Sequence, residues 1–302
     1  MPNYNDIEKE ISTMKQTAQD IVRRKYIKEL ADYTQTDVLL YASATDKPLP
    51  LPVQLSLGIN EEDITSFMTG LNGLNPEKKE ASKLLLLIHS NGGSLEATEK
   101  IVSYLRSKYH HITAVVPRTA MSAATLLCCA CDEIIMGKQS AIGPIDPQIN
   151  GIPAHAILME FEKAEKDIAV RPEVAPIWLE RIKNLPFGIL TMCEVTNKLS
   201  KEKAINWLTS FMFKGEPNAE DKSKKIAEWL GSFQNHNTHG HPISIAEAQK
   251  HGLKVRALEN DSKLQDLVLS VFHATMITFA MTFCIKMVEN QNGLGRYLGF
   301  HP

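Results

Sequence analysis

The sequence predicts an α/β fold with a parallel sheet, because three short apolar runs alternate with two helix-like segments near its centre. The apolar runs are residues 84–89, 112–116 and 132–136, and the helical patterns between them cover 94–108 and 122–130. Repeats of strand, helix and strand are typical of βαβ units with right-handed crossovers. In such sheets, functional sites form at the carboxyl ends of the strands.

The flanking segments extend this prediction. Charge-rich residues from about 5 to 30 have a helical pattern, and residues 37–41 form another strand-like run. From 154 to about 231 the pattern is helical and prolines interrupt it, which predicts several helices inserted over the sheet. A capped short helix at 243–249 and a strand at 254–258 then return to the core.

These patterns divide the chain into three regions. We expect an N-terminal helical arm at 1–35 and an α/β core at 36–258 that contains the helical insertion, about 154–231. A long C-terminal helix, suited to oligomerisation, is expected within 259–302. Its apolar stretch at 264–288 is nearly long enough to cross a bilayer. Polar residues interrupt the stretch and no basic flank marks a cytoplasmic side, which favours a buried or subunit-pairing helix.

Composition and charge narrow the functional class. The 302 residues include 33 basic and 35 acidic side chains, and this net charge of −2 gives no electrostatic case for nucleic acid as a partner. The N-terminus lacks the apolar core of a secretory signal. Cys128, Cys129 and Cys131 crowd one predicted helix, which indicates buried thiols in a cytoplasmic, reducing compartment and no metal site.

A candidate site lies where two neighbouring strands end. Ser122 stands at the predicted start of a helix in VVPRTAMSAATLL, and Gly92 and Gly93 follow the preceding strand. A serine at a helix N-terminus lies beside free backbone N–H groups and the positive end of the helix dipole. This combination suits acyl transfer, with Ser122 as the nucleophile. A serine cap and a glycine turn are also common structural features in their own right.

Two segments carry a resemblance to a known family. LLLLIHSNGGSLEATEKIVSYL and VVPRTAMSAATLLCCACDEIIMGKQSAIGPIDPQ resemble the Clp-type serine peptidases, which include the Clp protease proteolytic subunit and signal peptide peptidase A. The AMSAATL run, the DEIIM strand and the AIGPIDPQ loop are most similar, in order and spacing, to the serine dehydrogenase proteinases. The resemblance implies a ClpP/crotonase-like fold and a serine peptidase that needs no cofactor.

The resemblance also implies roles for individual residues. Ser122 would form the acyl-enzyme, and the backbone N–H groups of Ala123 and of Gly92 or Gly93 would form the oxyanion hole. A peptide or protein substrate would pair with the strand around Ser90. Members of this fold form rings or other oligomers, so we expect a homo-oligomer built through the terminal helices. The resemblance specifies no partner ATPase or other activator.

The general base is where the sequence departs from the best-known pattern. The Clp subunit carries a histidine in the loop that here reads SAIGPIDPQ, and this loop has none. Related Ser–Lys peptidases draw a lysine from the segment after that loop, where Lys163 and His155 share a rough helix face. We therefore expect Lys163, or His155, to be the base, if burial or nearby positive charge lowers the pKa of the lysine. The remaining candidates are Lys138, Asp146 and the histidines at 236, 239 and 241.

Other functions fit the same residues. A crotonase-like enzyme acting on an acyl-CoA thioester would share the sheet and the paired N–H groups without needing Ser122. A catalytically inactive scaffold would keep the fold and the oligomer. The three histidines within 236–241 could also hold a metal, although no carboxylate or thiolate motif accompanies them and a polar loop explains them as well.

Overall fold

A seven-stranded sheet forms the centre of the computed structural model, which describes residues 18–74, 82–149 and 151–300. In chain order the strands of the molecule are β1 (Asp37–Ser43), β2 (Lys83–His89), β3 (His111–Val116), β4 (Thr119–Ala120), β5 (Glu133–Met136), β6 (Ala141–Ile142), β7 (Gln148–Ile149), β8 (Ile152–Pro153), β9 (Val255–Ala257), β10 (Cys284–Asn290) and β11 (Gly295–Gly299). The large sheet has the order β11-β10-β1-β2-β3-β5-β9. Its β1, β2, β3, β5 and β9 are parallel, which confirms the predicted α/β class.

Helices cover both faces of this sheet. They are α1 (Ala18–Thr34), α2 (Leu51–Ser56), α3 (Glu61–Gly70), α4 (Leu95–Arg106), α5 (Ala123–Cys129), α6 (Ala154–Val170), α7 (Ala175–Ile182), α8 (Ile189–Trp207), α9 (Ala219–Leu230), α10 (Phe233–His236), α11 (Ile245–Lys250) and α12 (Ser262–Met281). Short 3-10 turns occur at Pro172–Val174 and Leu258–Asn260, and a π turn at Leu208–Met212 continues α8.

Alternate residues of the central strands enter two separate cores. Leu84, Leu86 and Ile88 of β2 pack with α4 and α5 on one face. Leu85 and Leu87 pack with α1 and α12 on the other face. Because β2 is buried on both sides, its sequence is a continuous apolar run and does not alternate with polar residues.

The C-terminal region differs from its prediction. The long helix is present as α12, but it ends at Met281, and β10 follows it and pairs antiparallel with β1. The prediction of helix through 264–288 is therefore wrong at its end. A strand buried on both faces continues the apolar run of the preceding helix, so periodicity does not mark the boundary. The polar members of β10 are paired: Lys286 Nζ lies 2.9 Å from Asp63 Oδ2, and Glu289 accepts from Arg23 Nε at 2.6 Å.

The two terminal helices pack on each other within one chain. Residues 1–17 of the predicted arm lie outside the described part of the chain. Among the described residues, α12 alone is long and apolar enough to cross a membrane, and half of that apolar window is buried in the fold. Val268, Val271 and Thr275 form part of its buried side, as expected for a core helix.

The helical insertion reaches the carboxyl ends of the strands. Helices α6 and α8 share a small apolar core formed by Ala154, Ile157, Ile189 and Cys193. Further along α8, Ala204 and Trp207 join the main core, which fixes the insertion to the sheet. The insertion therefore lies where a site at the strand ends would be covered.

Candidate active site

Ser122 has a backbone conformation that is uncommon outside glycine. Its φ is +52° and its ψ is −120°, at the residue immediately before α5. Its hydroxyl forms no capping hydrogen bond with the first turn of that helix. Uncommon conformations of this kind are costly and cluster at functional sites. The geometry therefore does not support the interpretation of Ser122 as an ordinary helix cap.

Backbone hydrogen bonds join the segment that follows β2 to the segment that precedes Ser122. Ser90 N donates to Thr119 O at 3.1 Å, and Met121 N donates to Ser90 O at 3.0 Å. Gly92 is consequently held against the serine turn: a Cβ added there would lie 2.8 Å from Ser122 Cβ. Only glycine fits this position, since real Cβ atoms do not approach other heavy atoms so closely.

Two backbone N–H groups remain available beside Ser122. Ile59 N donates to Gly92 O at 2.7 Å and Ser94 N donates to Ile59 O at 2.8 Å, so the intervening Gly93 turns its own N–H away from Ile59. The N–H of Ala123, at the start of α5, has no acceptor among the described residues. Gly92 N, in contrast, donates to Ser90 Oγ at 3.2 Å. Among the described residues, the N–H groups of Gly93 and Ala123 thus have no acceptor, whereas that of Gly92 is already used.

The expected pairing edge for a peptide is not free at Ser90. Both its N–H and its C=O are used by the turn at Thr119 and Met121. The sequence could not indicate this, because the pairing depends on a bridge between Ser90 and Ala120, which lie on different connections. An extended substrate would have to pair elsewhere in the cleft.

Ser122 opens into a cleft of about 650 Å³. The two N–H donors, Gly93 and Ala123, line it together with Ser122. Leu57, Leu126 and Ile145 supply apolar surface, and α8 contributes Thr196 and Ser200 from the insertion. Side chains with acid–base chemistry line the same cleft: Asp46, Lys47, Glu96 and the imidazole of His239. The Nζ of Lys47 donates to Phe279 O at 2.9 Å and to Thr282 O at 2.7 Å.

His239 is paired with a buried carboxylate. Its Nδ1 lies 2.8 Å from Asp146 Oδ1, and Asp146 is only 2% exposed. The loop that carries Asp146 is fixed by Ile145 N, which donates to Leu230 O at 2.9 Å. Because the Nδ1–H donates to the carboxylate, the lone pair of the imidazole is on Nε2, the nitrogen suited to accept a proton. His239 therefore brings an imidazole, with its carboxylate partner, into the cleft that Ser122 also lines.

The two predicted bases lie elsewhere. Lys163 is exposed on α6 and lines a separate groove with Glu160 and Lys166. His155 accepts from Gln234 Nε2 at 2.6 Å and packs on Phe233, with ring centroids 5.8 Å apart. Neither side chain lines the Ser122 cleft, because the shared face of α6 is turned towards α10 and solvent. Their placement therefore does not fit the role of base, and the exposed Lys138 is absent from the cleft as well.

The sequence did not predict the contact between Asp146 and His239. Asp146 occupies the loop in which the resemblance calls for a histidine, and His239 belongs to the histidine-rich loop. The two are 93 positions apart, with the whole helical insertion between them. The spacing of the residues gave no signal for their contact.

The cysteines are part of the core. Cys128, Cys129 and Cys131 are buried and unpaired, as predicted. Burial raises the pKa of Cys129 and of Cys131 to about 12, and it also raises the pKa of Cys128. Thiols held in the neutral form neither bind metals nor attack carbonyls readily.

Three comparisons relate this chain to known proteins. A family model for the ClpP-like SDH-type serine proteinases matches residues 11–276. Two uncharacterised proteins of Methanocaldococcus jannaschii, MJ0137 and MJ1495, are 25% and 28% identical over 240 and 236 residues. These matches span 78% and 77% of this chain and 73% and 71% of the relatives. A solved structure of a ClpP1 mutant from Listeria monocytogenes is similar with a TM-score of 0.39 and 16% identity, over 78% of this chain and 99% of that one.

Proposed function

Because the chain belongs to the family of ClpP-like SDH-type serine proteinases, we propose that it hydrolyses peptide bonds through an acyl-enzyme on Ser122. The observation that carries this proposal is the convergence of three features on one cleft. These are the strained Ser122, the free N–H groups of Gly93 and Ala123, and the His239–Asp146 pair. Their chemistry is that of acyl transfer by a serine, an imidazole and a carboxylate.

In the first step, Ser122 Oγ attacks the carbonyl carbon of the scissile bond while His239 Nε2 takes the hydroxyl proton. The new C–O bond pushes an electron pair onto the carbonyl oxygen, where the N–H groups of Gly93 and Ala123 stabilise the charge. His239 then returns the proton to the departing amine as the C–N bond breaks. Water, activated by the same imidazole, releases the acyl group from Ser122.

Asp146 has a positioning role in this scheme. Its bond to Nδ1 selects the tautomer that presents Nε2 and stabilises the imidazolium formed in each step. Burial strengthens this interaction, since a buried ion pair is less screened than an exposed one. The Gly93 and Ala123 donors are already oriented before substrate arrives, so little reorganisation opposes the reaction.

A turnover assay tests the proposal. The wild-type protein is incubated with unfolded casein and with fluorogenic peptides, and cleavage is measured against Ser122→Ala and His239→Ala. We expect cleavage by the wild type and a loss of at least 100-fold in each variant. Thioester hydrolysis that survives Ser122→Ala would favour the crotonase-like alternative. A folded wild-type protein with neither activity would favour the scaffold.

Two wider expectations accompany this function. We propose a homo-oligomer formed through the terminal helices, supported by exposed apolar side chains there, including Ile21 and Val22 of α1 and Ile277 and Met281 of α12. The unpaired cysteines support a reducing, cytoplasmic location. Light scattering of the purified protein tests the first expectation, and a monomer at working concentration would contradict it.

A further inference from the structure

A second cluster of chemically active side chains lies beside the His239 loop. His236 ends α10, His241 follows in the loop, and Glu247 lies on α11. One donor atom from each of the three lies within 4.8 Å of the other two. Two of these ligands flank His239 in the sequence, at three residues before it and two after it.

The burial of His236 gives this cluster its significance. His236 is only 3% exposed, and its Nε2–H donates to Trp229 O at 2.8 Å. The lone pair is therefore on Nδ1, which is buried and has no partner among the described residues. A histidine that donates one ring N–H to a carbonyl and offers the other nitrogen has the usual arrangement of a metal ligand.

The other two ligands have spacing that suits a small cation. His241 Nε2 lies 3.4 Å from Glu247 Oε1. Two ligands at about 2.1 Å from a tetrahedral zinc ion are separated by about 3.4 Å. Two imidazoles and one carboxylate form a nitrogen- and oxygen-rich donor set that suits Zn²⁺ and leaves one position for water. The run of histidines in the sequence did not indicate Glu247 as a third ligand, because this carboxylate comes from the next helix.

We propose that His236, His241 and Glu247 bind one Zn²⁺ ion, which fixes the loop carrying His239. The ion would tie the end of α10 and the start of α11 to opposite sides of that loop. Metal binding stands on the donor geometry alone, whereas its effect on catalysis rests on the proposed function. His239 would then be placed by two restraints, the zinc site on its own chain segment and its hydrogen bond to the Asp146 carboxylate.

Zinc binding is measured directly by calorimetry with ZnCl2 and by the visible absorption of the Co²⁺-substituted protein. We expect one ion per chain in the wild type. His241→Gln and Glu247→Gln should each weaken Zn²⁺ binding at least tenfold, and both residues are partly exposed, so folding should be retained. Glu247→Gln also preserves the backbone N–H that Ser244 caps.

His251→Gln is the matched control. His251 stacks on Trp229 with a centroid distance of 3.9 Å, close to His236, yet it is outside the donor group. This variant should bind Zn²⁺ as the wild type does. Failure of the folded wild type to bind Zn²⁺, or binding that neither donor substitution weakens, would overturn the proposal and leave His241 and Glu247 as an ordinary ion pair.

The positioning role is tested separately by labelling Ser122 with a fluorophosphonate probe. Labelling of the Zn²⁺-loaded protein should be at least fivefold faster than labelling after chelation with EDTA. Glu247→Gln should label at the slow rate in both conditions. Equal rates with and without bound Zn²⁺ would overturn the positioning role. An absence of labelling in both states, with intact Zn²⁺ binding, would instead count against the proposed function and leave the metal site standing.

Discussion

The imidazole of His239 and the buried carboxylate of Asp146 form a hydrogen bond of 2.8 Å between Nδ1 and Oδ1. Asp146 comes from the loop after β6, and His239 comes from the far side of the helical insertion. His239 lines the cleft that contains Ser122. Under the proposed function, this carboxylate and imidazole supply the general base for the Ser122 hydroxyl.

His239→Ala and Asp146→Asn test this arrangement. We expect each to slow fluorophosphonate labelling of Ser122 by about 100- to 10,000-fold, because a positioned base contributes that much to the rate. Labelling is followed by intact mass. The controls Lys163→Ala and His155→Ala should label within twofold of the wild type. Loss of labelling in Lys163→Ala with normal labelling in His239→Ala would restore lysine as the base.

Gly92→Ala should disable the site sterically. The added Cβ would lie 2.9 Å from Ala123 N and 2.6 Å from Met121 O, and φ at this residue is +94°. Because the methyl group obstructs one oxyanion donor, we expect labelling to fall by about 100-fold or more. Gly188→Ala is a suitable control, since φ is +80° there and nothing lies within 4 Å of the added Cβ. A normal rate in folded Gly92→Ala would exclude Ala123 as a donor.

The backbone at Ser122 should store strain that glycine relieves. The residue has a φ of +52° and a ψ of −120°, which glycine adopts more readily than alanine. We therefore expect the free energy of unfolding of Ser122→Gly to be about 1 kcal/mol higher than that of Ser122→Ala. Urea unfolding measures the difference. Ser94 gives the comparison, because its hydroxyl accepts from Ala97 N at 3.1 Å and caps α4. Ser94→Ala should cost about 1 kcal/mol. Equal stability of the two Ser122 variants would contradict the strain.

His89 should make folding stability depend on pH. Burial, with the nearby charge of Arg118, lowers the pKa of His89 to about 4. In the unfolded chain the imidazole takes up a proton below about 6.5, whereas in the folded protein it stays neutral until about 4. The contribution of His89 to the free energy of unfolding is therefore fully present above pH 6.5. It falls by on the order of 3 kcal/mol as the pH drops towards 4. His89→Gln should show a shallower decline in urea unfolding between pH 6.5 and 4, and an unchanged slope would disprove this assignment.

Much of the fold was readable from the sequence because local patterns decide it. Residues 84–88 and 114–116 are apolar throughout since β2 and β3 are covered on both faces, and the glycines after β2 mark its end. Ser122 was identifiable because it follows a strand and precedes small residues. The end of α12 was not readable, because buried β10 continues the apolar run without a break.

The contact between Asp146 and His239 could be recognised only in the tertiary structure. Asp146 and His239 lie 93 positions apart, on either side of the insertion, and neither has a distinctive local pattern. Lys163 matched the helix spacing, but helix phase does not reveal which neighbour a face meets. The orientation of the Gly93 N–H group likewise depends on a tertiary contact, the bridge to Ile59.

The most direct test of the central claim is intact-mass analysis after incubation with a fluorophosphonate probe, for the wild type and Ser122→Ala. We predict one adduct per chain in the wild type, located on Ser122 by peptide mapping, and no adduct in the variant. A folded wild-type protein that gains no adduct, or an equal adduct in Ser122→Ala, would contradict an activated serine at this site.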